Sequence, residues 1–482
     1  MSDSTHSLPP PPQHGTRWIP WVIAGLALIT LGFAARAGTA GEADAGSQEA
    51  EVQAASPNAH ADAKPADPNN ALEDEDAFEK AMEQAEQEGQ PSDQQIQQIP
   101  AAAANAVVQE NAPIPGLSLL RHTKAPAAGE PWTAQTPEGK TAKLSINPTL
   151  QKQMTELFNS YRPLNGAVVA LDPKTGKILA LVEHSEEGKA EGLATRPLYP
   201  AASVFKIITG AALLDKGVSA DTETCYHGGL HGIVNKLLQD KPRLDRRCLS
   251  MAMALAKSAN VVFGKLAVKH LDAPALRAEA EKFLFNRPLW SEPSVENSTA
   301  QIQGTGLEFA KTAAGFGAVK LSPLHAALIA GAVGNDGLAM RPTLIDSIEG
   351  EAPAALEPMR LLRQETADTL TQMMKLTVKA GTATSYFKER RRPVLGDIEV
   401  AGKTGSLSSH GGPFRDYSWF VGFAPADDPK IAVAAVIVNG MKWRIHAPYV
   451  AREAMRAYFV GGKLGQPPAA RASHHKRTKK KH

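Results

Sequence analysis

Net charge of either sign is nearly absent from this 482-residue chain, in which 52 Lys and Arg stand against 50 Asp and Glu. That excludes a uniformly basic nucleic-acid binder. Long apolar runs are missing too, with one exception, so a polytopic membrane protein is excluded. Cysteine is limited to Cys225 and Cys248, so at most one internal disulfide can form. An oxidising exterior would permit it, and the sequence leaves open whether the two residues come within reach. Disorder of the whole chain is excluded by a hydrophobic content of 43%.

The charge balance cancels unlike segments. Residues 38–116 hold 16 Asp and Glu against Lys64 and Lys80, with Phe78 as the one aromatic. Such a stretch buries too little apolar surface to offset the entropy of ordering it, and it reads as a disordered linker rich in Ala, Gln and Pro. The one apolar run, Trp18 to Ala35, is just long enough to cross a bilayer core. Residues 18–37 therefore read as a transmembrane anchor, with a cleaved signal peptide as the competing reading. Either one exports the chain beyond residue 37, which predicts an inner-membrane protein with its globular part on the periplasmic side. Residues 1–17 would be a short cytoplasmic tail. At the other end, residues 466–482 form a basic tail. Its last twelve residues, 471–482, carry six Lys and Arg and three His. On an exported chain that tail suits anionic envelope polymers, not nucleic acid, and its histidines lack a metal-site framework.

Between these lies a short lead-in, 117–143, and one large domain, 144–465. Leu144 to Pro148 reads as a strand running into a helix. Residues 166–172 and 177–183 read as a hairpin, and 201–216 as a helix stopped at Gly217. Two helical segments, 249–257 and 261–271, flank Ser258-Ala-Asn260, and a mostly helical stretch continues to about Ala380. Three strands at 398–407, 417–424 and 431–439 precede an amphipathic helix at 446–459. The expectation is an α/β fold of the α+β type, with a mostly antiparallel sheet built from distant parts of the chain and flanked by a helical subdomain.

Chemistry enters with Ser203-Val-Phe-Lys206. At i and i+3 the two side chains share one helix face, so a desolvated lysine can activate the serine. Taken singly the pattern carries little, because Ser385 with Lys388 and Ser473 with Lys476 repeat it. Likewise Ser-x-Asn occurs at Ser56, Ser145 and Ser258, and Lys-Thr-Gly at Lys174 and Lys403. Order discriminates. Only Ser203, Ser258 and Lys403 run in succession on a helix start, an interhelical loop and a strand.

These three motifs resemble those of the penicillin-binding proteins and serine β-lactamases. The likeness extends over about 144–460, including Gly166-Ala-Val-Val-Ala-Leu-Asp172 and Trp419-Phe-Val-Gly-Phe-Ala-Pro425, and is nearest the class B, transpeptidase-only branch. It implies a transpeptidase/β-lactamase-like fold and a D,D-transpeptidase acting on peptidoglycan stem peptides, inhibited by β-lactam antibiotics, with no metal or other cofactor. It implies Ser203 as nucleophile, Lys206 as its base, and Ser258 as proton carrier to the leaving D-alanine. Asn260 would position Lys206, and Lys403 would supply positive potential. Thr404 and Ser406, flanking Gly405, would hold the terminal carboxylate, and the N–H groups of Ser203 and Ser406 the oxyanion. The chain departs from the branch in lacking a long folded pedestal before the domain. A D,D-carboxypeptidase, a class D-like β-lactamase and a non-catalytic penicillin or muropeptide sensor remain as rivals. Against the sensor, the residues before Trp18 are too few to form an output domain.

Overall fold

The computed structural model describes residues 113–461, apart from 128, 289–291, 293–294, 355, 410–411 and 443. The expected cytoplasmic tail, anchor, nearly all of the acidic linker and the basic tail lie outside the described residues. Among the described residues no helix is long and apolar enough to cross a membrane.

Composition bounds the acidic stretch at Gly116, but order begins before that. Ile114 is buried, and its N–H donates to Glu292. Pro113, Ile114 and Pro115 carry no charge, so this end of the segment has apolar surface to bury. The lead-in residues continue into the fold as α1 (Leu117–His122), β1 (Thr133–Gln135) and β2 (Thr141–Leu144). Helix α2 (Pro148–Tyr161) starts with Pro148 in its first turn and with Asn147 Oδ1 accepting from the Leu150 N–H at 3.0 Å. The hairpin comes next, as β3 (Asn165–Leu171) and β4 (Ile178–Ser185). After a single 3₁₀ turn, Ala202–Phe205, comes α3 (Lys206–Asp215). A second hairpin pairs β5 (Glu223–Tyr226) with β6 (Arg247–Ser250) and leads into α4 (Met251–Ala256) and α5 (Asn260–His270). Helices α6 (Pro323–Gly334) and α7 (Gln364–Lys379) are separated by β7 (Ile345–Ile348), which pairs with β2. Strands β8 (Ala401–Ser409), β9 (Arg415–Ala424) and β10 (Ile431–Asn439) and helix α8 (Ala447–Val460) close the domain.

The main sheet is antiparallel throughout, in the order β8-β9-β10-β3-β4. Its middle is assembled from both ends of the domain, with Val433 opposite Ala170 across β10 and β3. Alternate residues serve two cores, as the two-residue period of a strand requires. Val169, Trp419, Val421 and Val436 join the core beneath the helical subdomain. Val168, Phe420, Val433 and Ile437 join a second core that includes residues of α2 and α8. With both faces covered, β10 is buried along its whole length and reads as a continuous apolar run. Strand β8 is the outer strand at one edge, and that edge carries Lys403-Thr-Gly-Ser406.

Two local expectations change. Residues 201–216 do not form one helix, because the first turn is 3₁₀. The stretch up to Ala380 is less helical than its composition suggests. It contains β7 and the short strands Thr299–Ala300 and Val319–Leu321, which join Tyr199–Pro200 in a small sheet just before the 3₁₀ turn. Two- and three-residue strands leave no periodicity to detect.

Candidate active site

All three motifs converge on one cleft between the edge of β8 and the helical subdomain. The 3₁₀ turn repeats every three residues, so Ser203 and Lys206 eclipse each other more closely than on an α-helix. Lys206 Nζ donates to Ser203 Oγ at 2.8 Å and to Asn260 Oδ1 at 2.6 Å, and it also contacts the Ala314 carbonyl. Ser203 is half-buried, whereas Lys206 is completely buried. Asn260 opens α5 and is itself pinned. Its N–H donates to the Leu230 carbonyl at 2.8 Å, and its Nδ2 to the His231 carbonyl at 2.7 Å.

Across the cleft, Lys403 is fully buried, and its Nζ donates to Ser258 Oγ at 2.9 Å and to its neighbour Thr404 O at 2.8 Å. Ser258 and Ala202, which precedes Ser203, have left-handed backbones with φ of 55° and 46°. For non-glycine residues such geometry costs about 1–3 kcal/mol, and it survives only where the surroundings impose it. Gly405 is tightly packed. A Cβ there would stand 3.2 Å from both Trp419 Cβ and Val204 Cγ2, so a side chain would make β8 and the turn at Ser203 give way by a few tenths of an ångström. Trp419 ties the same regions together, its Nε1 donating to the Pro200 carbonyl at 2.9 Å. Ser406, one residue further on, is exposed.

Electrostatics separate the two lysines from ordinary surface amines. Burial draws Lys403 down to about 7. Lys206 falls well below its usual value, through burial first and the Lys403 charge second. Burial comes first because Lys206 has no exposed surface at all. An amine of lowered pKa held 2.8 Å from a serine hydroxyl is in reach of that hydroxyl's proton. The shift also bears on stability. Between about pH 7 and 10.5 the unfolded chain holds a proton on Lys403 that the folded chain lacks, so this site's contribution to stability rises with pH. Lys403→Met removes that cost. Thermal melts are expected to place the variant above the wild type at pH 7, with the gap closing toward pH 10. A gap independent of pH would contradict the assignment.

The competing motif copies fall elsewhere. Ser145 Oγ donates to the Ile178 carbonyl at 2.7 Å and serves the fold, Lys174 lies exposed in the β3–β4 turn, and Ser385 and Lys388 are exposed. Ser56 and Ser473 lie outside the described residues. The carbonyls of Ala314 and His231 carry no sequence signal, because every residue type offers one. Thr382 is a side chain the motifs do not announce: its hydroxyl meets that of Thr404 at 2.5 Å.

The residues 225–248 that overhang α5 are closed by a disulfide between Cys225 and Cys248, the bond the sequence leaves open. The two cysteines are direct partners across β5 and β6, with Cα atoms 3.9 Å apart. Within this loop His227 Nδ1 bonds Asp245 at 2.6 Å, and Lys265 Nζ from α5 reaches both Asp245 and the Cys225 carbonyl. The loop that supplies the Leu230 and His231 carbonyls to Asn260 is thus fastened to the helix Asn260 begins.

Residues 166–456 match the penicillin binding protein transpeptidase domain. Peptidoglycan D,D-transpeptidase PbpA of Mycobacterium tuberculosis is 30% identical over 351 residues, covering 64% of this chain and 69% of that protein. The crystal structure of PBPA from M. tuberculosis superposes with a TM-score of 0.54 at 26% identity, covering 66% of this chain and 82% of that one. Its penicillin G acyl-enzyme complex superposes with a TM-score of 0.52 at 26% identity, covering 66% and 80%.

Proposed function

The chain belongs to the penicillin-binding protein transpeptidase family, a peptidoglycan D,D-transpeptidase, and we propose how its residues divide that reaction. The observation that carries the proposal is the contact between Ser203 Oγ and a buried Lys206 amine of depressed pKa. Ser203 attacks the carbonyl of the penultimate D-alanine of a stem peptide, and its proton passes to Lys206. Asn260 Oδ1 holds the amine in place for that transfer. The N–H groups of Ser203 and Ser406 receive the oxyanion. On collapse the C–N bond breaks. Ser258, hydrogen-bonded to Lys403, relays a proton to the departing D-alanine amine, and the acyl group stays on Ser203. An amine from a second stem peptide then attacks the ester and gives up its proton to Ser258, the ester C–O bond breaks, and Lys206 returns its proton to Ser203 Oγ as the new amide forms. Lys403 draws in the anionic substrate, whose carboxylate rests on the Thr404 and Ser406 hydroxyls beside Gly405.

We place the enzyme outside the cytoplasm, held to the membrane through residues 18–37. Support comes from the disulfide, which suits an oxidising compartment. The basic tail at 471–482 is assigned to anionic envelope polymers on its charge alone.

Among the described residues, the partners of Lys206 and Lys403 are hydroxyl, amide and carbonyl oxygens, with no carboxylate. The Glu-x-x-Leu-Asn run that class A β-lactamases use against the acyl-enzyme is also absent from the sequence. Penicilloyl-Ser203 is therefore expected to persist for many minutes, with negligible β-lactam hydrolysis. A steady-state nitrocefin assay tests this. Sustained turnover at about one per second or faster would make the protein a β-lactamase of the class D kind, in which the motif lysine activates water.

A further inference from the structure

Thr382 lies just after α7, in a turn pressed onto the end of α4. A Cβ on Gly381 would stand 2.2 Å from the Ala256 carbonyl oxygen, so the turn reaches this contact only as glycine. The Thr382 N–H then donates to Ala256 O at 3.0 Å. Ala256 is two residues before Ser258, and Thr404 is next after Lys403, so Thr382 bridges the two arms of the cleft. Its hydroxyl sits between Ala256 O, at 3.4 Å, and Thr404 Oγ1, at 2.5 Å.

Each hydroxyl has one proton to give, which leaves the pair two arrangements. In one, Thr404 donates to Thr382 and Thr382 donates to Ala256 O. In the other, Thr382 donates to Thr404, and the Thr404 proton is free to point into the cleft. Only the second lets Thr404 donate to a carboxylate. The Ala256 contact is long, so the first arrangement is weakly held and the second is reached by two hydroxyl rotations without moving a heavy atom.

We propose that Thr382 is a positioning residue whose hydroxyl donates to Thr404 and so turns the Thr404 proton toward the substrate carboxylate. The inference rests on Thr404 holding that carboxylate and adds the group that aims it. Thr382→Val keeps the branched shape and removes the proton.

The test compares second-order acylation rates for penicillin G and for its methyl ester, which keeps the ring and lacks the anion. Damage to the cleft slows both, whereas lost aiming slows the acid alone. Thr382→Val is expected to lower the acid-to-ester ratio about tenfold, the scale of one hydrogen bond to a charged group, and Thr382→Ser to hold it within about twofold. Thr404→Ala should lower the ratio at least as far, and adding Thr382→Val to it should change nothing more, since the effect runs through Thr404. If Thr404→Ala leaves the ratio intact, the carboxylate reading of Thr404 fails. An effect of Thr404→Ala without one of Thr382→Val overturns the inference alone, as does a full Thr382→Val loss in the Thr404→Ala background.

Discussion

Ser203→Ala is expected to take up no penicillin at all while melting within about 1 kcal/mol of the wild type. The side chain is half-buried, and its hydroxyl's described partner is Lys206, so the change opens no large cavity and strands no charge. Loss of Oγ removes the hydroxyl that Lys206 contacts and that the proposal acylates. Labelling with a fluorescent penicillin, coupled to mass spectrometry of the labelled peptide, gives the answer directly. Label retained on the variant, or found at the exposed Ser385, would overturn the nucleophile assignment.

Lys206→Arg and Lys206→Met are both expected to slow acylation by about 10²–10⁴-fold, the range supplied by a positioned general base. The reasons differ. A guanidinium stays protonated and cannot take the serine proton, while a thioether has no basic site. Using both separates chemistry from fit. Arginine is bulkier in a fully buried place beside Phe263, whose ring centre lies 5.9 Å from Nζ, whereas methionine fills nearly the lysine's volume. Stopped-flow acylation and a melting curve on each variant make the comparison. A folded Lys206→Met protein that acylates near the wild-type rate would show that the proton goes elsewhere.

The site is more legible in the sequence than the fold around it, because its motifs are short runs of unusual chemistry in a set order. Ser203 with Lys206 and Ser258 with Asn260 lie close in the chain, so local geometry alone brings each pair together. The contacts that complete the cleft come from far away in sequence. Lys403 reaches Ser258 across 145 residues, and Lys206 reaches the Ala314 carbonyl across 108. No pattern within a window of a dozen residues can report such a pairing.

Elements with strong period or punctuation can be read from residue order alone. Pro148 opens a helix, and the apolar run at 431–439 marks a strand. Residue order also singles out Ser203, Lys206 and Lys403 for the proposed chemistry, through the succession of three motifs. Packing of distant segments was needed for the 3₁₀ turn at Ser203, the left-handed backbones of Ala202 and Ser258, the Cys225–Cys248 bond and the place of Thr382. It also decided that burial, more than the neighbouring charge, lowers Lys206. The reason is common to all of these: each depends on which distant backbone or side chain excludes water or fills the space nearby. A residue's own identity and its immediate neighbours carry no record of that.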